Sequence, residues 1–247
     1  MTKVVITQAM LFPWSGFFEQ LAMADVYLYL DDTQFSKGSL TNRIQIKLGG
    51  AVRWMTIPLV GKGSFQTIAD LNAVEGDWRQ SHRTLLHQAL SKAPFFEDAL
   101  ALFDKAYSKP EIYDLLIESI EGPAGYLGIG VHRRIEHTSN LGVKGRSSQR
   151  VQDIVLKSGG THYITGHGAA GYLDHAAFED AGVCVEYMDY GKLPYSQGEG
   201  AFTPYVSILD LIARCGPESG KYLAAKTIQW RDFVKERSAA LSTIENT

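Results

Sequence analysis

The fold is decided by residues 3 to 34, which read KVVITQAMLFPWSGFFEQLAMADVYLYLDDTQ. Residues 3 to 8 and Val26 to Leu30 are short apolar runs typical of strands, and Gly16 to Ala24 between them has helix-like apolar spacing. A strand, loop, helix and strand in this order favour a parallel sheet, whose ligands usually bind at the carboxyl ends of the strands. Those ends are Gln8 to Trp14 and Asp31 to Gln34.

The next segment predicts a hairpin followed by helices. Residues 43–47 and 53–59 are strand-like and are separated by Gly49-Gly50, which supplies the positive φ that a tight turn requires. From Trp78 to about His132, apolar residues recur at three- and four-residue steps, as in amphipathic helices. Because a proline disfavours helical geometry in the residue before it, breaks are expected at Pro94, Pro110 and Pro123.

The last part of the chain returns to α/β alternation. It predicts helices at 147–158 and 172–181, strands at 161–165 and 183–188, and helices at 206–215 and about 219–242. We therefore predict an α/β fold with a Rossmann-like, mostly parallel sheet and a helical insertion in the middle of the chain. Residues 1–76 and 136–216 would form a discontinuous α/β domain, 77–135 the insertion, and 217–247 a C-terminal helix.

Composition narrows the functional classes. The net charge of −3 over 247 residues gives no global field for a nucleic-acid backbone or an anionic membrane. Cys184 and Cys215 have no zinc-type or redox spacing, and both are expected to be packing residues. No apolar run approaches the roughly 20 residues needed to span a bilayer, and the N-terminus enters a strand without a signal-peptide core. We expect a cytoplasmic protein.

Two candidate ligand sites follow the first two strands. Residues 8–19 form a strand-to-helix loop that contains the polar Gln8 and several aromatic residues, among them Trp14. Packing beneath the sheet would also explain the aromatic residues. Asp31 and Asp32 end the second apolar run, and Gln34, Lys37, Asn42, Arg43 and Lys47 follow them. A carboxylate there can serve as a general base or ligate a divalent cation, and the basic residues can hold phosphates. Turn formation and salt bridges are the alternatives.

Two weaker candidates lie later in the chain. Residues 138–150 form a glycine-, hydroxyl- and base-rich link, including Lys144 and Arg146, that is either an anion-binding nest or a solvated connector. His167, between two glycines after a predicted strand, can shuttle a proton but is also a common surface group. Tyr195 and Gln197 lie in a polar loop further on. No familiar hydrolase or metalloenzyme motif is present.

The chain resembles the WbqC-like family along nearly its whole length. The resemblance rests on the opening Val5-Ile6-Thr7-Gln8, Phe12-Pro13-Trp14-x-Gly16-Phe17-Phe18-Glu19 and Asp31-Asp32-x-Gln34-Phe35-Ser36-Lys37, then Asn42-Arg43-x-x-Ile46-Lys47, Trp54-x-Thr56-x-Pro58, Trp78-x-x-x-His82, Tyr195-x-Gln197 and Phe202-x-Pro204-x-x-Ser207-Ile208-Leu209-Asp210. One departure is Ala9, where the family pattern has proline.

The resemblance implies a role in bacterial surface-glycan, O-antigen, biosynthesis. It implies transfer of an aminoacyl, glycyl-like group from an activated donor, either an aminoacyl or an acyl carrier, to the amine of a nucleotide-linked amino sugar. Asp31 or Asp32, with His167 as a substitute, would take the amine proton, while Gln8, Asn42 or Gln197 would orient oxygens and the basic residues would face the diphosphate. The sequence itself requires no cofactor.

Two other interpretations stay open. The first strand–helix–strand unit is similar in layout to Rossmann-like nucleotidylyltransferases, although their histidine-containing loop is missing between Gln8 and Gly16. The same aromatic and basic residues would also suit a non-catalytic module that binds a sugar nucleotide or a carrier protein.

Overall fold

The computed structural model describes residues 1–61 and 64–245, and the side chains as far as residue 239. A six-stranded sheet has the order β5–β2–β1–β6–β7–β8. Its strands are β1 (Lys3–Thr7), β2 (Val26–Tyr29), β5 (Arg134–His137), β6 (His162–Thr165), β7 (Cys184–Tyr190) and β8 (Ala225–Gln229). All neighbours are parallel except β7 and β8.

Numbered within this sheet alone, the strand order is 3-2-1-4-5-6, which is the order of doubly wound Rossmann folds. The predicted Rossmann-like α/β fold with a mostly parallel sheet is therefore confirmed. Val4 of β1 is in register with Val26 on one side and Tyr163 on the other, so β1 is central and buried. The direction of strand addition reverses between β1 and β6, where such folds bind ligands outside the carboxyl ends.

A separate hairpin lies in the connection between β2 and β5. It consists of β3 (Arg43–Leu48) and β4 (Ala51–Thr56), paired antiparallel from Arg43 with Thr56 to Leu48 with Ala51. Gly49 and Gly50 have φ values of 56° and 76°, the left-handed geometry that a two-residue turn of this type requires. The predicted hairpin is confirmed.

Helices cover the sheet and fill the insertion. They are α1 (Ser15–Ala22), α2 (Trp78–Leu90), α3 (Phe96–Tyr107), α4 (Ile112–Tyr126), α5 (Thr138–Leu141), α6 (Ser147–Lys157), α7 (His175–Asp180), α8 (Ile208–Cys215) and α9 (Trp230–Glu245). The expected break at Pro123 is wrong, because this proline lies inside α4. Only the last turn of the helix follows Pro123, and the neighbouring Gly122 and Gly125 carry no Cβ.

Two edge strands differ from the sequence prediction. β5 was not predicted, and the single helix expected over about 219–242 is wrong because residues 225–229 form β8. A 3₁₀ turn at Gly216–Tyr222 precedes β8, and α9 follows it. Along β7, an antiparallel partner satisfies backbone groups that would otherwise form an open edge. Residues 246 and 247 of the predicted C-terminal segment lie outside the described residues.

The core has two parts, one on each face of the sheet. The smaller contains Val4, Tyr163 and Phe178, and the larger joins Val5 and Ile164 of the sheet to Leu86 and Phe103 of the insertion. The division into an α/β domain and a helical insertion stays a prediction. Among the described residues, no helix combines the length and the apolar character that crossing a membrane requires.

Candidate functional site

The carboxyl ends of β2 and β5 lie side by side, since Tyr29 is in register with His137. Asp31, just beyond β2, is 4% exposed and accepts hydrogen bonds from residues just beyond β5. The Ser139 backbone N–H donates to Oδ1 at 3.0 Å, and the Ser139 hydroxyl donates to Oδ2 at 2.6 Å. The Asp31 carboxylate therefore fixes the first turn of α5.

Asp32 joins this cluster to α6. Its Oδ2 accepts a hydrogen bond from Arg150 at 2.6 Å, and its Oδ1 accepts one from the Thr138 hydroxyl at 2.7 Å. Thr138 is also 3.2 Å from Asp31, but its single proton serves the nearer Asp32. Partial burial acts to raise the pKa of Asp32, but the bonds from Arg150 and Thr138 outweigh it and lower that pKa. Asp32 is therefore held as a carboxylate.

His137 adds a proton-transfer group to the cluster. Its Nδ1 lies 2.8 Å from the Tyr113 hydroxyl and 3.6 Å from Asp31 Oδ2. The Tyr29 ring stacks on the imidazole at 5.6 Å, so three neighbours fix its orientation. Burial, and then the negative charge of Asp31, raise the pKa of Tyr113, which keeps the phenol neutral. His137 is a third exposed, and among the described residues no partner bonds its Nε2.

A cationic pocket of about 320 Å³ lies near this cluster, at the base of the hairpin. Lys37, Arg43, Asn42 and Gln66 give it polar walls, and Phe35 contributes to the apolar part. The Arg43 guanidinium lies 4.3 Å from the Trp54 ring centroid and donates to the Gly38 carbonyl, while its buried Nε has no partner among the described residues. The Asn42 amide donates to the Ile57 carbonyl at 2.8 Å, which fixes the pocket wall.

One segment, residues 31–37, runs from the acidic cluster to the pocket. It pairs with residues 66–69, since Ala69 donates to the Asp31 carbonyl at 3.1 Å and Phe35 donates to the Gln66 carbonyl at 2.8 Å. Lys37 follows Asp32 by five positions, so their Cα atoms are at most about 18 Å apart. The cluster and the pocket therefore lie along one short segment of the chain.

The predicted site residues fall into two groups. Near the cluster and pocket lie Gln8, Asp31, Asp32, Gln34, Lys37, Asn42 and Arg43. Gln8 donates to Thr33 at 3.4 Å, and the exposed Gln34 pairs with Thr67. Lys144 and Arg146 are exposed in the link before α6, and the link reaches the acids through Thr138, Ser139 and Arg150 instead.

The remaining predicted residues lie in other contacts. Lys47 is 3% exposed and donates to the Ala201 carbonyl at 2.8 Å. The Gln197 amide bonds both the N–H and the C=O of Thr203, and Tyr195 donates to Asp210 at 3.0 Å. These three residues order the loop after β7.

Trp14 and His167 lie nearer the centre of the sheet edge. The Trp14 ring contacts those of Tyr190 and Tyr205 at 4.8 and 5.4 Å. His167 Nε2 lies 2.6 Å from the Met188 carbonyl, which engages that nitrogen in a backbone contact. The catalytic role predicted for His167 stays a prediction.

Tyr113, His137 and Arg150 belong to the candidate site but were not among the residues predicted from the sequence. Arg150 and Ser139 lie in the hydroxyl- and base-rich link that the sequence singles out, so that link carried a usable signal. Tyr113 and His137 had none, because one belongs to an ordinary helix and the other to an unpredicted edge strand.

Metal-type ligands converge at a different place. In the described part of the chain, the acids and His137 do not form a group of three ligand atoms within 4.8 Å of one another. His162, Cys184 and Glu186 do so at the opposite edge of the sheet.

The strand order defines a Rossmann-like fold, and the paired acids at the carboxyl edge with the neighbouring cationic pocket form its candidate ligand site. The chain belongs to the WbqC-like protein family, whose model matches residues 8–222. It is 29% identical over 228 residues to the Uncharacterized protein Rv1507c of Mycobacterium tuberculosis, an alignment that covers 90% of this chain and 98% of the relative. No solved structure matches the chain.

Proposed function

We propose that this chain is a transferase of surface-glycan biosynthesis that attaches an aminoacyl, glycyl-like group to the amine of a nucleotide-linked amino sugar. The observation that carries the proposal is the contact series Asp31–His137–Tyr113, which lies beside the ion pair Asp32–Arg150 at the carboxyl edge. Such a group of acids and an imidazole suits proton transfer from an amine. The cationic pocket nearby suits phosphates.

In the proposed reaction, the neutral sugar amine attacks the acyl carbon of an activated aminoacyl donor. The new C–N bond forms as the bond to the carrier breaks, and the carrier leaves with the electron pair. His137 takes the amine proton on Nε2, and the carboxylate of Asp31 stabilises the resulting imidazolium. Asp31 thus acts through His137, because donors from the protein already occupy both of its oxygens.

Asp32 binds the substrate in this scheme. Its lowered pKa makes it a weak base, but a fixed carboxylate accepts a hydrogen bond from an amine or a sugar hydroxyl. Its side chain is 32% exposed, so a ligand can reach it. Lys37 and Arg43 hold the diphosphate, and the pocket takes the nucleoside end. A carrier docks at the same edge.

The test is formation of an amide product by the full chain, followed by mass spectrometry. Nucleotide-linked amino sugars are incubated with glycyl thioester and glycyl-tRNA donors. His137→Gln should lower kcat about 100-fold or more, since general-base catalysis typically contributes at least that factor. Asp32→Asn should mainly raise KM for the sugar.

The matched control is Asp104→Asn. Asp104 also pairs with an arginine, Arg83 at 2.9 Å, but on the exposed surface of α3. This variant should keep wild-type activity. Unchanged product formation in both His137→Gln and Asp32→Asn would refute the proposed site.

Nucleotidyl transfer is a second candidate, favoured by the 3-2-1-4-5-6 strand order. A thermal-shift screen against nucleotides and sugar nucleotides, with and without magnesium, separates the candidates, because ligands selective for the native state raise Tm. Stabilisation by amino-sugar nucleotides supports the transferase, and stabilisation by nucleoside triphosphates alone supports nucleotidyl transfer. Sugar-nucleotide binding without turnover of any donor identifies a binding module.

A further inference from the structure

Three side chains with metal-ligating atoms share one face of the sheet at the amino ends of β6 and β7. His162 is in register with Cys184, and Glu186 lies two residues further along β7. Because side chains alternate along a strand, Cys184 and Glu186 point to the same face of the sheet. His162, in register with Cys184 on the parallel strand β6, points to that face as well. One ligand atom from each lies within 4.8 Å of the other two, and all three residues are partly buried.

Each of the three side chains has a polar neighbour within hydrogen-bond range. The pairs are Thr161 Oγ1 with His162 Nδ1 at 3.1 Å, Gln229 Nε2 donating to Cys184 Sγ at 3.4 Å, and Thr227 Oγ1 donating to Glu186 Oε2 at 2.7 Å. These contacts leave His162 Nε2, lone pairs of the sulfur and Glu186 Oε1 for a further ligand. Outer hydrogen bonds of this kind orient the ligands of protein metal sites.

We propose that His162, Cys184 and Glu186 bind a zinc ion. Imidazole nitrogen, thiolate sulfur and carboxylate oxygen are the three ligand types that zinc takes in proteins. Zinc–ligand distances of about 2.0–2.3 Å place tetrahedral ligands about 3.3–3.7 Å apart. The ligand atoms lie within 4.8 Å of one another, so each pair has to close by at most about 1.5 Å, a movement within the range of side-chain rotation.

Zinc binding releases one proton and uses three protein ligands. The Cys184 thiol loses its proton to solvent, the thiolate bonds to the metal, and a water molecule completes the fourth position. Lys3 is in register with His162 on β1 and brings a positive charge to the same face. We therefore expect weaker affinity than at a structural site with four protein ligands.

A bound ion would link neighbouring strands of the sheet. The ion would join β6 to β7 directly, and the outer bonds from Thr227 and Gln229 would tie in the edge strand β8. This site lies at the opposite edge from the acidic cluster, so it does not depend on the proposed transferase activity.

The test uses the full chain without an affinity tag, titrated with Co²⁺ and Zn²⁺. Cobalt should give one equivalent of binding with a near-ultraviolet thiolate-to-metal band, and excess zinc should displace it. Cys184→Ser should remove the band, whereas Cys215→Ser, the matched control at the other free cysteine, should keep it. Thr227→Val should weaken binding about 10- to 100-fold, as loss of an outer hydrogen bond typically does.

Two results would overturn the proposal. One is a cobalt spectrum without a thiolate band, and the other is a band that persists in Cys184→Ser. If Cys184→Ser does not fold, Glu186→Gln and His162→Gln take its place, because each keeps the thiol. An unchanged cobalt affinity in both variants would exclude the site.

Discussion

Asp31 should contribute more to the free energy of unfolding than its neighbour Asp32, because only Asp31 is buried and its carboxylate fixes the turn at Ser139. Asp31→Asn keeps the size of the side chain but removes the charge. The amide oxygen can still accept from the Ser139 N–H, while the amide nitrogen must face the Ser139 hydroxyl, which can rotate to accept. Two charge-assisted hydrogen bonds thus become neutral ones.

The magnitude follows from these two bonds. Bonds to a charged group contribute about 1.5–3 kcal/mol and neutral ones about 0.5–1.5 kcal/mol, so the loss over two bonds is about 2–3 kcal/mol. Relief from burying a charge offsets part of it, which leaves a net cost of about 2 kcal/mol. Asp31→Ala leaves both Ser139 donors without a partner and should cost about 4 kcal/mol. Asp104→Asn, in an exposed ion pair, should cost less than about 1 kcal/mol.

The assay is urea unfolding at pH 7, with amide hydrogen exchange as a local measurement. The free energy of unfolding should fall in the order wild type, Asp31→Asn, Asp31→Ala. Protection of the Ser139 amide should decrease with it, because that N–H donates to Asp31. If Asp31→Ala were as stable as Asp104→Asn, or if Ser139 kept its protection, the carboxylate would not be the anchor of this turn.

Three further perturbations have expected outcomes. Burial lowers the pKa of His82 to about 4, so only the unfolded state binds a proton at this residue between about pH 6.5 and 4. Acidification through that window should cost about 3 kcal/mol in urea unfolding from His82, and His82→Gln should remove that part of the pH dependence. In Gly16→Ala, the new Cβ would lie 2.1 Å from the Trp14 ring, so the ring must move; we expect a loss of about 1–3 kcal/mol and greater quenching of tryptophan fluorescence by acrylamide. Because the pKa of Asp32 is lowered in the folded state, Asp32 stabilises the fold above about pH 4, and this contribution is lost as the pH falls through the folded-state pKa. Arg150→Met should remove at most about 1 kcal/mol of this acid dependence. The measurement is the shift in the midpoint of urea unfolding between pH 6 and pH 3.

The central part of the fold was predictable because its patterns are strong. Val4, Val5 and Ile6 form a continuous apolar run, as a strand covered on both faces should. The insertion helices carry apolar residues at helical spacing over three or four turns, so α2 and α3 were predicted with their intervening break at Pro94.

The edge strands were not predictable in the same way. β5 reads RIEH and β8 reads AKTIQ, so both are short and carry charged or polar residues. Such composition protects sheet edges from unwanted pairing, and it also removes the apolar signal by which strands are identified. In β8 the weak local pattern lost to pairing with β7, which lies far away in sequence.

The candidate site also contains some residues that could be predicted from the sequence and others that could not. Asp31 and Asp32 could be predicted because they directly follow an apolar strand. Their partners could not be predicted, because they come from three elements more than 80 residues away. His137 and Arg150 contact the acids, and Tyr113 contacts His137, only through packing and sheet register. Contacts between residues that are distant in the chain leave no local pattern in a single sequence.

The position of the connection between β2 and β5 explains why the pocket lies near the acids. In a doubly wound fold the chain leaves every parallel strand at the carboxyl edge, where ligands bind. The connection that follows β2 therefore begins at that edge, and its first residues, 31–37, carry both the acids and Lys37. The chain returns through β5, whose own carboxyl end supplies His137 beside Asp31. Because Leu86 and Phe103 of this connection pack into the core beneath the sheet, we expect relatives with other substrates to differ mainly in its exposed loops rather than in its helices.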